Sequence, residues 1–155
     1  AQNSIWVPIM EKAFAFWRSG SNSYGSISGG SETEEFYALG GSSVASIWGN
    51  SAAATMNNIN AALTGGKQVS VWTPNSDPTN GCPCVKNHVY TADHVNYQSV
   101  YVPYIGVLTI PVSITLRNPW GTDGGGNNDG SNDGYVTVNA NTFYGYFGGG
   151  DSAFV

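Results

Sequence analysis

Residues 82–120 read CPCVKNHVYTADHVNYQSVYVPYIGVLTIPVSITLRNPW, and the density of Val, Ile, Tyr and Thr between polar residues and turn formers decides the fold. Runs of β-branched and aromatic side chains of this kind form strands. The pattern predicts strands over 89–95, 100–108 and 109–116, with others at 68–73 and 135–138. Strands so close together in sequence pair antiparallel, because a parallel pair needs a long crossover.

Upstream the periodicity changes. SIWVPIMEKAFAFWR, residues 4–18, places Ile5, Trp6, Ile9, Met10, Ala13, Phe14 and Trp17 at three- and four-residue spacing, which is an amphipathic helix. Pro8 fits only in its first turn, where a missing N–H is harmless, so this helix is expected to begin near Asn3 or Ser4. Residues 19–41 turn to Ser, Gly and Tyr and read as loop with one short element. A second helix is expected over 50–63, capped by Asn50 or Ser51, with Met56, Ile59 and Leu63 inward and Gly65 past its end. Asn80-Gly81 and the stretch TDGGGNNDGSNDG (122–134) supply turns, and NTFYGYF (141–147) a short helix. Helices first and strands later make an α+β domain with an antiparallel sheet.

The 155 residues suffice for one domain with a real core. Apolar residues are 41% of the chain and aromatics 13%, far above a disordered segment. Charged residues are only 10%, against about a quarter in an average domain, and the net charge is −5. Five Lys and Arg in total leave no basic patch, which sets aside nucleic acid and an anionic-membrane anchor. No run of about 18 apolar residues is present, so no membrane span is expected. Low charge with many Ser, Asn and Thr points to an extracellular protein. Cys82 and Cys84, the only cysteines, have the wrong spacing for structural zinc; free buried thiols, partners in another chain and a labile disulfide all stay open.

Two motifs have chemical potential: KNHVYT around His88 and LRNPWG around Asn118, each near the end of a predicted strand. A histidine that acts as general base or stabilises a thiolate needs its ring held in one orientation. An amide oxygen accepting from its other nitrogen does that. Trp120 then shields the hydrogen bond from water. On spacing alone, a lone strand histidine is structural and Asn-Pro is a turn.

The order of several segments outweighs those bland alternatives. WVPIMEKAFAFWR (6–18), YGSISGG (24–30), ALGG (38–41), CPCVKNHVYT (82–91), LRNPWG (116–121) and DGYVTVNANTFYGYF (133–147) together resemble the second half of the calpain-type, papain-like cysteine peptidase core. The resemblance implies an α+β fold with an antiparallel sheet or half-barrel behind N-terminal helices. It implies that residues 1–155 are a single His/Asn subdomain, with His88 the catalytic histidine, Asn118 its orienting asparagine and Trp120 a supporting residue. Cys82 matches a non-nucleophilic cysteine of the family, and Cys84 has no assigned role.

The chain departs from that family in three respects. The nucleophilic cysteine, which these enzymes carry on a preceding subdomain, is absent, so the chain is expected to be inactive alone and to need that subdomain as partner, with polypeptide as substrate. Cys82 and Cys84 are expected on a strand continuous with His88, where neither thiol faces the imidazole across a cleft. Asn87 and the lengthened stretch VNYQSVYVPYIGVLTIPV (95–112) make the second departure, the latter a possible new surface. The third concerns calcium: Asp129, Ser131 and Asp133 before Gly134 imitate the start of a calcium loop, but the twelfth position is Ala140 rather than a bidentate carboxylate, and a plain turn explains the segment equally well. The alternative class is a non-catalytic extracellular module on a peptidase-like fold, binding partners or copies of itself through Tyr- and Trp-rich surfaces and strand edges.

Overall fold

The computed structural model describes residues 6–124 and 130–155. Six strands form one antiparallel sheet: β1 (Ser42–Ser46), β2 (Gln68–Trp72), β3 (Val89–Val102), β4 (Gly106–Arg117), β5 (Tyr135–Asn139) and β6 (Gly149–Phe154). Their order across the sheet is β1-β6-β2-β3-β4-β5, so the C-terminal strand lies inside and the sheet is open. The helices are α1 (Trp6–Ser19), α2 (Glu32–Ala38), α3 (Ala52–Thr64) and α4 (Ala140–Tyr146), with a 3₁₀ turn at Tyr24–Ile27. The fold is α+β, as the sequence pattern requires.

The core sits where α3 and α4 pack against the middle of the sheet. The Ser51 side chain caps α3 by accepting from the Ala54 N–H at 3.2 Å, which satisfies one of the helix's free donors. Met56 and Ile59, one turn apart on α3, are fully buried against Val69, Val71, Ile114 and Leu116. In β5, Val136 and Val138 alternate inward with period two. Burying a residue of this size contributes about 1.5–3 kcal/mol, so the α3–sheet contact is the main hydrophobic tie.

Two expectations need correction. The run 100–108 is not one strand. The Ile105 N–H donates to Val102 O at 3.1 Å and closes a turn with Pro103 second and Tyr104 third, at φ 68°, so β3 and β4 are two long strands joined by a tight hairpin. Cys82 and Cys84 lie in the loop before His88 rather than on a strand. The helix start near Asn3 or Ser4, together with Ile5 and Asp129, lies outside the described residues.

The apolar stripe of α1 forms its helix but finds little to cover. Ile9, Met10 and Trp17 are 58%, 44% and 53% exposed. Met10 and Trp17, with Phe14, Ile27 and Leu39, line an open apolar groove of about 660 Å³. Arg18 ties α1 to the loop and α2 through Ser26 O, Gly29 O and an ion pair with Glu34 at 2.8 Å.

Candidate active site

β2, the loop before β3, and the end of β4 converge on one point. Just past β2, the Thr73 N–H donates to His88 O at 2.9 Å, and the Thr73 hydroxyl accepts from the His88 N–H at 3.0 Å while donating to Val85 O at 2.7 Å. The main chain of His88 is thereby clamped on both sides. The preceding residue, Asn87, turns the chain through the left-handed region at φ 51°, which Asn tolerates better than most residues, and its N–H reaches Pro74 O at 2.9 Å.

Asn118 follows β4 immediately and is wholly buried. Its N–H donates to Gly134 O at 2.7 Å, and its own carbonyl accepts from the Gly121 N–H at 3.1 Å. That loop closes tightly: Gly134 has φ 88°, and a Cβ there would lie 2.9 Å from the Gly121 carbonyl carbon.

His88 Nε2 lies 3.0 Å from Asn118 Oδ1. The other bonds of the amide fix which atom is which: Oδ1 also accepts the Trp120 N–H at 3.0 Å, and Nδ2 donates to Asp123 O at 3.3 Å. Because Oδ1 only accepts, Nε2 carries the proton, and Nδ1 is left as the basic nitrogen. Trp120 lies over the imidazole, with ring centroids 4.3 Å apart, and Tyr90 meets it edge-on at 5.0 Å. Trp120 is itself 59% exposed, so it covers one face of the imidazole without sealing it. The Tyr90 hydroxyl accepts from the Val85 N–H at 2.8 Å, and burial pushes this phenol's pKa up.

The sequence motifs thus place His88, Asn118 and Trp120 together. Thr73, Tyr90 and Asp123, which also build this corner, carried no such signal: a Thr-Pro, a strand tyrosine and an Asp-Gly are unremarkable in any chain. Asp123 is 1% exposed; its Oδ1 accepts the Gly134 N–H at 2.9 Å, while Oδ2 has no hydrogen-bond partner among the described residues.

Cys82 and Cys84 are joined in a disulfide, and both are buried. Of the alternatives the sequence left open, the intrachain bridge is the one formed. With no free cysteine in the chain, neither sulfur is available as a nucleophile.

Asp133 accepts from the Ser131 hydroxyl at 3.1 Å and from the Tyr135 N–H at 3.0 Å, so both carboxylate oxygens are engaged within their own turn. Among the described residues no three His, Cys, Asp or Glu side chains gather as a metal site. Asp129 lies outside the described residues.

A family model described as calpain family cysteine protease matches residues 1–133. The chain belongs to the calpain cysteine protease family. Among curated proteins no individual relative matches. The family match spans both the His88 and Asn118 segments and ends before β5, so β5, α4 and β6, which complete the sheet and core, lie beyond it. Among the described residues, no helix is long and apolar enough to cross a membrane.

Proposed function

We propose that this chain is the His/Asn half of a calpain-type cysteine endopeptidase and that the thiol comes from polypeptide outside these 155 residues. The observation that carries the proposal is the Nε2–H to Oδ1 bond, whose acceptor is identified independently by the Trp120 N–H and the Asp123 carbonyl. It leaves Nδ1 of His88 basic. In the reaction, Nδ1 takes the proton of an incoming cysteine thiol, the thiolate attacks the peptide carbonyl, and the imidazolium returns the proton to the leaving amine. Asn118 holds the ring in place throughout, a task that needs a neutral acceptor and no change of charge.

Two further features support parts of this reading. The apolar groove between α1, the 3₁₀ turn and α2 is where an additional subdomain has surface to cover. A buried disulfide fits the oxidising, extracellular location that the composition suggests.

The test is complementation in trans. The chain alone is expected to hydrolyse no peptide and to take no label from a thiol-directed peptidyl inhibitor. Mixed with a cysteine-bearing half of a calpain-family core, it is expected to give hydrolysis that His88→Ala abolishes. Hydrolysis by the chain alone, or complemented activity indifferent to His88→Ala, refutes the proposal. A second reading, a binding or self-assembling module, is favoured by one separate observation, the projecting hairpin described next.

A further inference from the structure

β3 and β4 outrun the sheet. β2 pairs with β3 only at Ser70–Thr91, Val71–Tyr90 and Trp72–Val89, and β5 pairs with β4 only from Ser113 to Arg117. Between these limits Tyr97 pairs with Pro111, Gln98 with Ile110, Ser99 with Thr109, Val100 with Leu108, Tyr101 with Val107 and Val102 with Gly106. Among the described residues no third strand joins them. Six residues at about 3.4 Å each make an arm of about 20 Å beyond the sheet.

The composition of the arm is unusual for a solvated hairpin. From Val95 to Leu116 there is no charged residue, in a chain whose net charge is −5. Cross-strand neighbours share a face, so Val100 and Val102 lie with Leu108 and Ile110, and Tyr97 and Tyr101 with Val107 and Pro111. Both faces are uncharged and mostly apolar, with Gln98 on the first and Ser99 and Thr109 on the second. At the tip Tyr101 is 72%, Tyr104 106%, Ile105 69% and Val107 67% exposed. Tyr104 also holds φ 68°, a conformation that costs a bulky residue about 1–2 kcal/mol and that Gly or Asn would adopt freely. An isolated two-stranded hairpin is at best marginal in water; of the devices by which soluble proteins protect open edges, charge, proline and bulges, β4 carries Pro111 and β3 a register shift between Asn96 and Tyr97, while residues 97–102 of β3 carry none.

We propose that the arm is a self-association surface and that its occupant is a second copy of this chain, joined by antiparallel pairing of the outer edge of β3 with the same edge of its partner. Pro111 removes a donor from β4, whereas residues 96–102 of β3 contain no proline and no charge. A two-fold axis at Ser99 places Tyr97 beside Tyr101 of the second copy, twice, and aromatic cross-strand pairs stabilise sheets. Two bodies of charge −5 repel; meeting at uncharged arms keeps those charges apart. The same net charge, and the lack of any Lys or Arg on the arm, disfavour an anionic lipid surface. Tyr101 is 72% exposed and Tyr97 37%, with the Tyr97 hydroxyl donating to Asn57 Oδ1 of α3, so Tyr101 supplies most of the aromatic surface at that edge.

Sedimentation of the chain across a range of concentrations decides the matter. The expected result is a reversible shift from 16.3 kDa to twice that mass, with amides of 96–102 gaining hydrogen-exchange protection as the dimer fills. Ser99→Lys sets two like charges at the axis, and it should weaken the dimer about tenfold while leaving the circular dichroism and melting of the monomer unchanged. A monomer up to about millimolar concentration, the weakest range a specific contact occupies, overturns the proposal. So does a dimer without protection at 96–102, or flotation of monomer with neutral phosphatidylcholine vesicles. His88→Ala leaves the dimer intact, so failure here and failure of the peptidase reading are distinguishable.

Discussion

Asn118→Ala removes a fully buried side chain that serves three partners at once: it accepts from His88 Nε2 and the Trp120 N–H and donates to Asp123 O. Each such bond contributes about 1 kcal/mol net, and a buried partner left unpaired adds to the loss. A cost of about 3 kcal/mol is therefore expected, which for a domain of this size lowers Tm by about 6–12 °C. His88→Ala loses only one of the three bonds, and from a half-exposed ring, so it should cost about 1 kcal/mol. A double-mutant cycle of the two, measured by chemical denaturation, isolates the pair and should return a coupling of about 0.5–1.5 kcal/mol. In parallel, the ¹⁵N imidazole shifts of His88 should report the Nε2–H tautomer in the native chain and a mixture in Asn118→Ala. A coupling within about 0.3 kcal/mol of zero, or a native histidine protonated at Nδ1 instead, refutes the assignment of Asn118 as the residue that orients His88.

Gly124 has φ 72°, and a Cβ there would lie 2.9 Å from Val85 Cγ2 and 3.0 Å from Asn118 Nδ2; Gly124→Ala should cost about 1–3 kcal/mol by thermal melting and disturb the His88 tautomer, whereas Gly20→Ala, strained but with open space around it, should cost only the left-handed penalty and leave the tautomer alone. Cys82 and Cys84 are two residues apart, so the bridge closes a very short loop; Cys82→Ala with Cys84→Ala should lower stability by at most about 1–2 kcal/mol in denaturant titrations. Glu35 stands at the apolar groove, and burial raises its pKa above the ordinary 4.5 although the residue as a whole stays exposed. A raised carboxyl favours the folded state most when protonated, so its contribution is fully present below 4.5 and declines as pH rises through the raised value. Glu35→Gln should accordingly stabilise the chain at neutral pH and have no effect near pH 4; an equal effect at both pH values counts against burial as the cause.

The legible parts of the fold are those whose local signals agree with their tertiary partners. Ser51, Met56, Ile59 and Gly65 mark α3 from cap to stop, and the structure uses each one in that role. The candidate site was legible because His88 and Asn118 each sit at a strand end, where pairing of β3 with β4 brings thirty residues of separation down to one hydrogen bond. β1 and β6 were not legible: SSVAS and GGDSAF hold few β-branched residues, and they are strands because β2 and each other supply the ladder. The glycines of β6 answer to their neighbours instead. A Cβ on Gly150 would lie 2.7 Å from Ser70 O, and one on Gly148, just before the strand, 2.1 Å from the Trp72 ring. The stripe of α1 gave the right helix, but periodicity says only that a face is apolar and never what covers it.

The arm and the His88 corner stand at opposite ends of one continuous strand, and that geometry separates the two activities proposed. From Ser99 back to His88 is eleven residues, so antiparallel pairing about Ser99 would set the two imidazoles about 70 Å apart along the strand direction. Neither cleft would face the other, and neither would be covered by the partner's arm. Association would therefore change local concentration without changing the chemistry of either site. This leads to a sharp expectation: in the complemented enzyme Ser99→Lys should leave kcat/KM per site unchanged while moving the concentration dependence of mass about tenfold upward, and His88→Ala should lose kcat/KM while leaving that dependence unchanged. A loss of kcat/KM in Ser99→Lys would mean that the arm reaches a cleft, against the separation of about 70 Å expected from the strand rise.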